Sequence, residues 1–171
     1  MHYIFIVLFV ILILTSWALL VTISRSKITN INIKMTKAEN NIGDLLKQKY
    51  ELMNKCYQII KKNIHKKDYF KDFSELKIDK LSDHDLDEEL EKHFDIMREI
   101  RDAYKSLKTE EYSSLIIKID EINENIYANK IFFNKYNDVL IKELKGINKI
   151  VATFLKIKVR TSYEIKEPKI D

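Results

Sequence analysis

The sequence predicts an all-α protein, with an N-terminal transmembrane helix followed by an elongated antiparallel helical bundle. Three observations predict this fold: an apolar run at the start, a scarcity of turn residues, and apolar side chains at helical spacings through the remainder. The 171 residues include only two glycines and one proline. Sheet proteins need many turns, which these residues usually supply, so the composition indicates few and long helices.

The apolar run at residues 3–23 is long enough to cross a membrane. Its 21 residues carry no charged side chain, and as a helix they reach roughly 30 Å, the thickness of the hydrocarbon core of a bilayer. A cleaved secretory signal has a basic start, a shorter apolar run and a small-x-small cleavage site, and residues 1–24 show none of these. We therefore expect residues 1–24 to be an uncleaved transmembrane anchor.

The charges after the apolar run predict its orientation. Residues 25–40 form a basic juxtamembrane segment that begins with Arg25 and Lys27. Because positive flanks stay in the cytoplasm, we expect a single-pass protein of the cell membrane with its N-terminus outside and its body cytoplasmic. Cys56 is the only cysteine, so no intramolecular disulfide framework demands an oxidising compartment.

The body shows two helical patterns before residue 110. Apolar residues at three- and four-residue steps predict a first helix over 36–64 with a wide apolar face. Ser82 as N-cap, with Asp85 three residues later, predicts the start of another helix. The stripe expected to be buried on that helix comprises Leu86, Leu90, Phe94, Met97, Ile100, Tyr104 and Leu107. Residues 65–80 could add a helix of their own, whose apolar face would hold Tyr69, Phe70, Phe73 and Leu76.

The strongest periodicity is a heptad seam in the last third of the chain. Its members at steps of seven are Tyr112, Ile119, Ile126, Phe133, Leu140, Ile147 and Phe154. A second row lies three residues after members of the first and comprises Leu115, Ile122, Tyr136 and Ile150, with Asn129 as a polar member. We expect Gly146 to interrupt this helix. The bundle is predicted over residues 41–160, because such seams bury their apolar faces only against each other.

The end of the chain allows two interpretations. The segment IVATFLKIKVR at residues 150–160 alternates apolar and basic side chains. It could lie on a membrane surface or pack on the end of the bundle. Residues 161–171 contain Pro168, and we expect them to form a flexible tail.

The net charge of +4 is distributed unevenly along the chain. Residues 24–80 carry 14 Lys and Arg against 7 Asp and Glu, residues 81–128 carry 6 against 14, and residues 129–171 carry 10 against 5. The basic parts could contact anionic lipid head groups, or they could be solvated faces of helices that pack beside acidic ones. Nucleic acid is not an expected partner, because the lysines are interleaved with acids and the anchor restricts access.

No catalytic, cofactor-binding or metal-binding residue is predicted, and no cofactor is expected. The four histidines have no metal-ligand spacing, so His84 and His93 are interpreted as surface residues. Cys56 lies in an apolar helical row and is predicted to be a small buried hydrophobe. Glu88, Glu89 and Glu91 are interpreted as a solvated helical turn. Neither glycine has the companions of a phosphate-binding loop.

Four segments resemble conserved stretches of the LemA family. LLKQKYELMNK at 45–55 is similar to "LKxRxDLIPNLV", and DAYKSLKTEEY at 102–112 is similar to "EAYPDLKxxxxF", one residue short in its spacing. NENIYANKIFFN at 123–134 resembles "ENxIxxARxFYN", and IVATFLKIKVRTSYE at 150–164 resembles the ending "LIAxLFGFKxxPYFE". The matching positions are Leu46, Lys47, Lys49, Glu51, Leu52 and Met53; Asp102, Ala103, Tyr104, Leu107, Lys108 and Tyr112; and Ile126, Ala128, Lys130, Phe132, Phe133 and Asn134.

The chain also departs from these patterns. Asn54 and Lys105 stand where they have proline, and the Gly and Pro of the ending are absent. The four motifs are in the family's order behind an N-terminal anchor, so the chain is identified as a divergent member of the LemA family. The resemblance implies a single-pass membrane protein with a cytoplasmic helical bundle, and it implies no enzymatic activity.

Three functional hypotheses follow from the sequence. The first is a membrane-anchored structural or interaction protein of the adaptor type. Its partners would be the lipid bilayer, other membrane or envelope proteins and further copies of itself. The second is an envelope-spanning or lysis-type coiled-coil protein with its body outside the cytoplasm. The third is a membrane-bound enzyme, which would need clustered polar residues on the inward faces of its helices.

Overall fold

The computed structural model describes residues 2–64 and 71–166. This part of the chain is helical and contains no strand, which confirms the all-α prediction. Its five α-helices are α1 (His2–Asn63), α2 (Lys71–Ser74), α3 (Asp83–Ala103), α4 (Glu110–Glu143) and α5 (Gly146–Phe154). Two 3₁₀ turns, Ile78–Lys80 and Lys105–Leu107, lie between them.

Helix α1 is a single uninterrupted helix of 62 residues. It joins the apolar run at 3–23 to the helix predicted over 36–64, and it ends one residue before the predicted limit. The basic segment at 25–40 therefore lies within a helix. Among the described residues, α1 is the one helix long and apolar enough to cross a membrane, and its best window has a mean hydropathy of 3.0.

The described chain divides into two compact units. Unit 1 comprises residues 2–38 and 132–162, and unit 2 comprises residues 39–64, 71–131 and 163–166. Both α1 and α4 contribute residues to each unit.

The start of α3 agrees with the sequence prediction. Ser82 has an extended backbone, and its hydroxyl accepts a hydrogen bond from the Asp85 amide at 3.3 Å. This bond satisfies one of the free N–H groups of the first helical turn. The predicted stripe is buried from Leu86 to Ile100 and again at Leu107. Tyr104 is half-buried, because the helix ends at Ala103.

The possible helix over 65–80 is not continuous where the structure describes it. Phe73 is buried on the single turn of α2, Leu76 is half-buried, and a 3₁₀ turn follows. Tyr69 and Phe70 lie outside the described residues. The chain from residue 71 to α3 therefore consists of short turns.

The first row of the heptad seam is buried along α4, from Tyr112 through Leu140. The prediction that this row continues to Ile147 and Phe154 is wrong. Gly146 interrupts the helix as expected, with a φ of 50°, a conformation that glycine adopts without a steric cost. Beyond this break Ile147 is half-buried and Phe154 is 86% exposed.

The second row of the seam was predicted in the wrong register. Leu115, Ile122 and Tyr136 are half-buried and Ile150 is exposed. The second packed row of α4 lies four residues after members of the first row. It comprises Ile116, Asn123, Lys130 and Asn137. Residues three and four apart share one face of a helix, so the packed neighbours decide which row is buried. Three of the four residues in this row are polar, which the apolar pattern did not reveal.

Unit 1 is held together by hydrogen bonds around Asn137. Its side chain accepts from the Arg160 amide at 3.1 Å and donates to the Arg160 carbonyl and the Ser162 hydroxyl. The Arg160 guanidinium donates to Asn32 and Thr36 of α1, each at 2.9 Å. These bonds attach the extended segment after α5 to both α1 and α4.

A buried polar cluster as the candidate functional site

Ion pairs join the helices of unit 2 in the described part of the chain, and three of them connect different helices closely. Lys49 of α1 binds Glu91 of α3. The other two pairs join α3 to α4 and are Arg98–Asp120 and Asp87–Lys130. We call these six residues, together with Asn123, the polar cluster.

Helical spacing places the members of the cluster on common faces. On α3, Asp87, Glu91 and Arg98 are four and seven residues apart. On α4, Asp120, Asn123 and Lys130 are three and seven residues apart. These spacings put each set on one side of its helix.

The polar cluster borders a cavity of about 390 Å³. Its walls come from α3, α4 and residues 163–166. Asn123 is buried, and its carbonyl Oδ1 has no hydrogen-bond partner among the described residues; the same holds for Asp87 Oδ1. Both acceptors are buried beside the charged side chains of the cavity wall, where a polar atom without a partner is unfavourable.

Lys49 is the most deeply buried charge of the cluster, with an exposed fraction of 0%. Burial lowers the pKa of its ammonium group, and the Glu91 carboxylate partly opposes that shift. The ammonium also lies 5.6 Å from the centre of the Phe94 ring, and the Arg98 guanidinium lies 4.7 Å from it. Phe94 thus supplies a cation–π contact to two buried cations.

His93 was interpreted as a surface residue, and this interpretation is wrong. The side chain is 7% exposed and meets the Phe73 ring edge-on, with ring centres 5.2 Å apart. Burial lowers the pKa of its imidazole. The reason for its burial is the position of His93 on the packed face of α3, between Leu90 and Phe94.

His84 is half-buried and stacks on Tyr163, with ring centres 4.1 Å apart and planes 18° from parallel. Tyr163 itself is buried. This stacking fixes residue 163 against the start of α3, whereas Pro168 lies outside the described residues.

The remaining candidates have no reactive arrangement. Cys56 is buried as predicted, and burial raises the pKa of its thiol to about 12. Because the thiolate is the nucleophilic form, this thiol is unreactive at neutral pH. Glu88 and Glu89 are ion-paired with Lys92 near solvent. No group of three or more His, Cys, Asp or Glu side chains that could hold a metal ion is found in residues 2–64 and 71–166.

The polar cluster was not predicted from the sequence. Glu91 was interpreted as part of a solvated turn; its side chain is 47% exposed, and it also binds the buried Lys49. A usable signal was present, because opposite charges recur at helical spacing on α3 and α4 among apolar seam residues. Their burial depends on partners distant in the sequence, which periodicity alone does not identify.

The chain matches no family model, and searches of curated proteins and of solved structures return no match. The fold and the cluster define a class of protein: an all-helical chain with one long apolar helix and charged residues inside its packed helices.

Proposed function

We propose that this protein is a single-pass membrane-anchored helical bundle that acts as a structural or interaction protein at the membrane. The observation that carries the proposal is the first part of α1. The side chains of residues 3–20 are exposed all round the helix, although nearly all of them are apolar. An apolar surface of this extent is unfavourable in water, whereas a bilayer accepts it and a helix satisfies its own backbone there.

The bundle is supported by pairwise contacts within each unit. In unit 2, Arg98–Asp120 and Asp87–Lys130 pair α3 with α4 in opposite directions. In unit 1, Lys34 contacts Tyr136 and Lys27 binds Glu143. Moving seven residues toward the N-terminus of α1, from Lys34 to Lys27, thus corresponds to moving seven residues toward the C-terminus of α4. This is the relation expected for antiparallel helices.

A LemA-like identity is supported by two backbone positions where the chain departs from the family patterns. Lys156 stands where the ending pattern has glycine, and its φ is 57°, the conformation that glycine favours. Lys105 stands where the second pattern has proline, and it opens a 3₁₀ turn after an extended Tyr104. Proline fits at the first residue of a helix and requires an extended residue before it.

Two further matches carry the same charge as the patterns. Lys49 and Lys130 stand where the first and third patterns have arginine, and both are paired members of the polar cluster. We infer that the motifs describe one packing arrangement in which these cations have a structural role. The divergent-member hypothesis predicts that K49R and K130R fold normally.

The proposed topology places the N-terminus outside and the body in the cytoplasm. Single cysteines at exposed His2 and Ser106 test it in cells that express the full chain, with a membrane-impermeant maleimide. H2C should label in intact cells, and S106C only after permeabilisation. The parent chain is the control, because its buried Cys56 should remain unlabelled throughout.

Two results would contradict this topology. Labelling of S106C in intact cells favours the envelope-spanning or lysis-type coiled-coil protein with its body outside. Release of the chain from membranes by alkaline carbonate would contradict the anchor itself.

The interaction role needs partners, which we propose to be membrane or envelope proteins or further copies of this chain. Ile117 is an apolar side chain of α4 with 59% of its surface exposed. A photo-crosslinking residue there should give discrete products from membranes, and the same residue at exposed Lys118 provides the control. Failure of every exposed position to crosslink would contradict an adaptor role.

The polar cluster supports a second candidate, a ligand-binding or enzymatic role. The enzyme hypothesis required polar residues on inward faces, and the charged walls of the 390 Å³ cavity meet that requirement. The three ion pairs favour a structural role, because each one joins two helices and compensates the charges of both partners. Substitution of Asn123 by Leu would separate the structural role from the ligand-binding or enzymatic role. Loss of a membrane-associated activity in a variant that still folds would favour the binding site.

A further inference from the structure

Helix α5 presents apolar side chains that no described residue covers. Val151 and Ala152 are buried, whereas Ile150 is 65% exposed and Phe154 is 86% exposed. Ile150 and Phe154 are four residues apart and therefore share one face of the helix. The face opposite the packed side of α5 is thus apolar.

The position of α5 along α1 follows from contacts within unit 1. Lys34 contacts Tyr136 and Lys27 binds Glu143, so the paired residue numbers sum to 170 in both cases. By the same sum, residue 146 falls level with residue 24. At 1.5 Å per residue, α5 begins about 5 Å beyond the level of Lys27, where the apolar run of α1 ends.

The C-terminal end of α5 is followed by a segment that hydrogen-bonds to α1. A Schellman motif closes the helix, with the Ile157 amide donating to the Ala152 carbonyl and the Lys156 amide to the Thr153 carbonyl. The chain then returns to the level of Asn32, which accepts a hydrogen bond from Arg160. The start of α5 therefore lies at the end of unit 1 nearest to the apolar run, and the chain after α5 lies at the level of Asn32.

Basic side chains surround the exposed face. Lys145 and Lys149 are exposed at the start and middle of α5, and Lys156 and Lys158 are exposed just after it. Apolar residues flanked by lysines are the composition of a helix that lies in the interface of an anionic membrane.

We propose that α5 is an interfacial helix, which inserts Ile150 and Phe154 into the head-group region of the bilayer crossed by α1. This inference rests on the proposed membrane anchor. The occupant of the apolar face is the anionic lipid surface, because the face lies at the level where the apolar run ends and carries the complementary charge. With α1, it would hold the body at two points of the same leaflet.

Tryptophan fluorescence of the full chain in vesicles tests the proposal. Trp17 is the only tryptophan, so the parent chain reports insertion of the anchor and W17F/F154W reports α5. Vesicles contain phosphatidylcholine and phosphatidylglycerol, with bromine atoms at a shallow or a deep position of the acyl chain. The F154W reporter should shift to the blue and be quenched more strongly by shallow than by deep bromines.

A matched reporter separates docking from general exposure. W17F/I117W places tryptophan at an exposed position of α4 in unit 2 and should be unaffected by either bromolipid. Replacing Lys145 and Lys149 with Gln should weaken docking of the F154W reporter about fivefold per residue in anionic vesicles. These lysines are exposed, so circular dichroism of the variant should match that of the parent.

Three outcomes would overturn the inference. Quenching of Trp17 without quenching of the F154W reporter would reject the interfacial helix and leave the anchor standing. A blue shift of that reporter without bromine quenching would mean that protein covers the ring. Absence of Trp17 quenching would reject the proposed anchor and with it the basis for an interfacial α5.

Discussion

The two units bury polar groups in different ways. In unit 1, the buried Asn137 is neutral and forms hydrogen bonds with Arg160 and Ser162. In unit 2, the buried Lys49 is charged and depends on Glu91, and two acceptors beside the cavity are unpaired. A neutral amide in a full set of hydrogen bonds costs little to bury, whereas a buried charge costs several kcal/mol unless it is well paired.

This difference indicates distinct sensitivities. Unit 1 should depend on hydrogen bonds that do not change with pH, whereas unit 2 should respond to any change in the charge of its cluster. Variants of the full-length chain in mild detergent test this contrast.

Among substitutions at neutral pH, the largest effect is expected from separating the Lys49–Glu91 pair. E91Q leaves an unpaired ammonium group at a fully buried position, which should lower the free energy of unfolding by about 3 kcal/mol. K49M removes the buried charge and keeps a similar volume, while Glu91 turns to solvent, so its effect should be near zero or stabilising. Urea unfolding followed by circular dichroism measures both.

Equal losses in E91Q and K49M would contradict this reasoning. They would mean that Lys49 contributes through packing of its carbon chain, and that the ion pair has no special role in unit 2.

In unit 1, the matching experiment removes the neutral amide. N137A deletes the side chain that holds residues 160–162 and should lower the free energy of unfolding by about 2 kcal/mol. N129A on the same helix is the control, because Asn129 is half-buried and its side-chain partner in unit 2 is Asn41; its effect should be a few tenths of a kcal/mol. Hydrogen exchange should show the Arg160 amide losing protection in N137A only.

Alkaline pH should affect unit 2 through Cys56. Burial raises the pKa of this thiol from 9.0 to about 12, so the unfolded chain releases the proton first as the pH rises. Stability should therefore fall between pH 9 and 12, by up to about 1.4 kcal/mol per pH unit from this group. C56A should remove that part of the slope in pH-dependent thermal unfolding, and an unchanged slope would contradict the assignment.

The fold could be predicted from the sequence wherever apolar spacing decides it. The row from Tyr112 to Leu140, the cap at Ser82 and the break at Gly146 are all local signals, and the structure agrees with them. The continuity of α1 through residues 24–35 was not predicted, although Ile28, Ile31 and Met35 follow one another at three- and four-residue steps and are buried.

The candidate site was less predictable. Whether Asp120 or Lys130 faces solvent or a partner depends on residues more than 20 positions away, which spacing within one helix cannot reveal. The half-burial of Leu115 and the burial of Asn123 show the same limit, since rows at steps of three and four are both helical faces. Tertiary neighbours choose between them.

A smaller effect is expected at Lys156 of unit 1, a non-glycine residue whose φ is 57°. Non-glycine residues pay about 1 kcal/mol in this conformation, so K156G should raise stability by about that amount. K158G is the control, because the same change at a neighbouring residue should give no gain. A loss of stability in K156G would indicate that the Lys156 side chain has a contact of its own.

The smallest effect is expected at Lys105 of unit 2, where the LemA pattern has proline. Tyr104 already has an extended backbone, with φ −119° and ψ 109°, and Lys105 begins the 3₁₀ turn, where its N–H has no place in the helical bonding. K105P should therefore stabilise the chain by about 0.5 kcal/mol, through reduced freedom of the unfolded state. K105A is the control, because it removes the same charge as K105P without restricting the backbone of the unfolded state. Destabilisation by K105P alone would mean that proline does not fit this turn, and would count against the alignment of Lys105 with the proline of the LemA pattern.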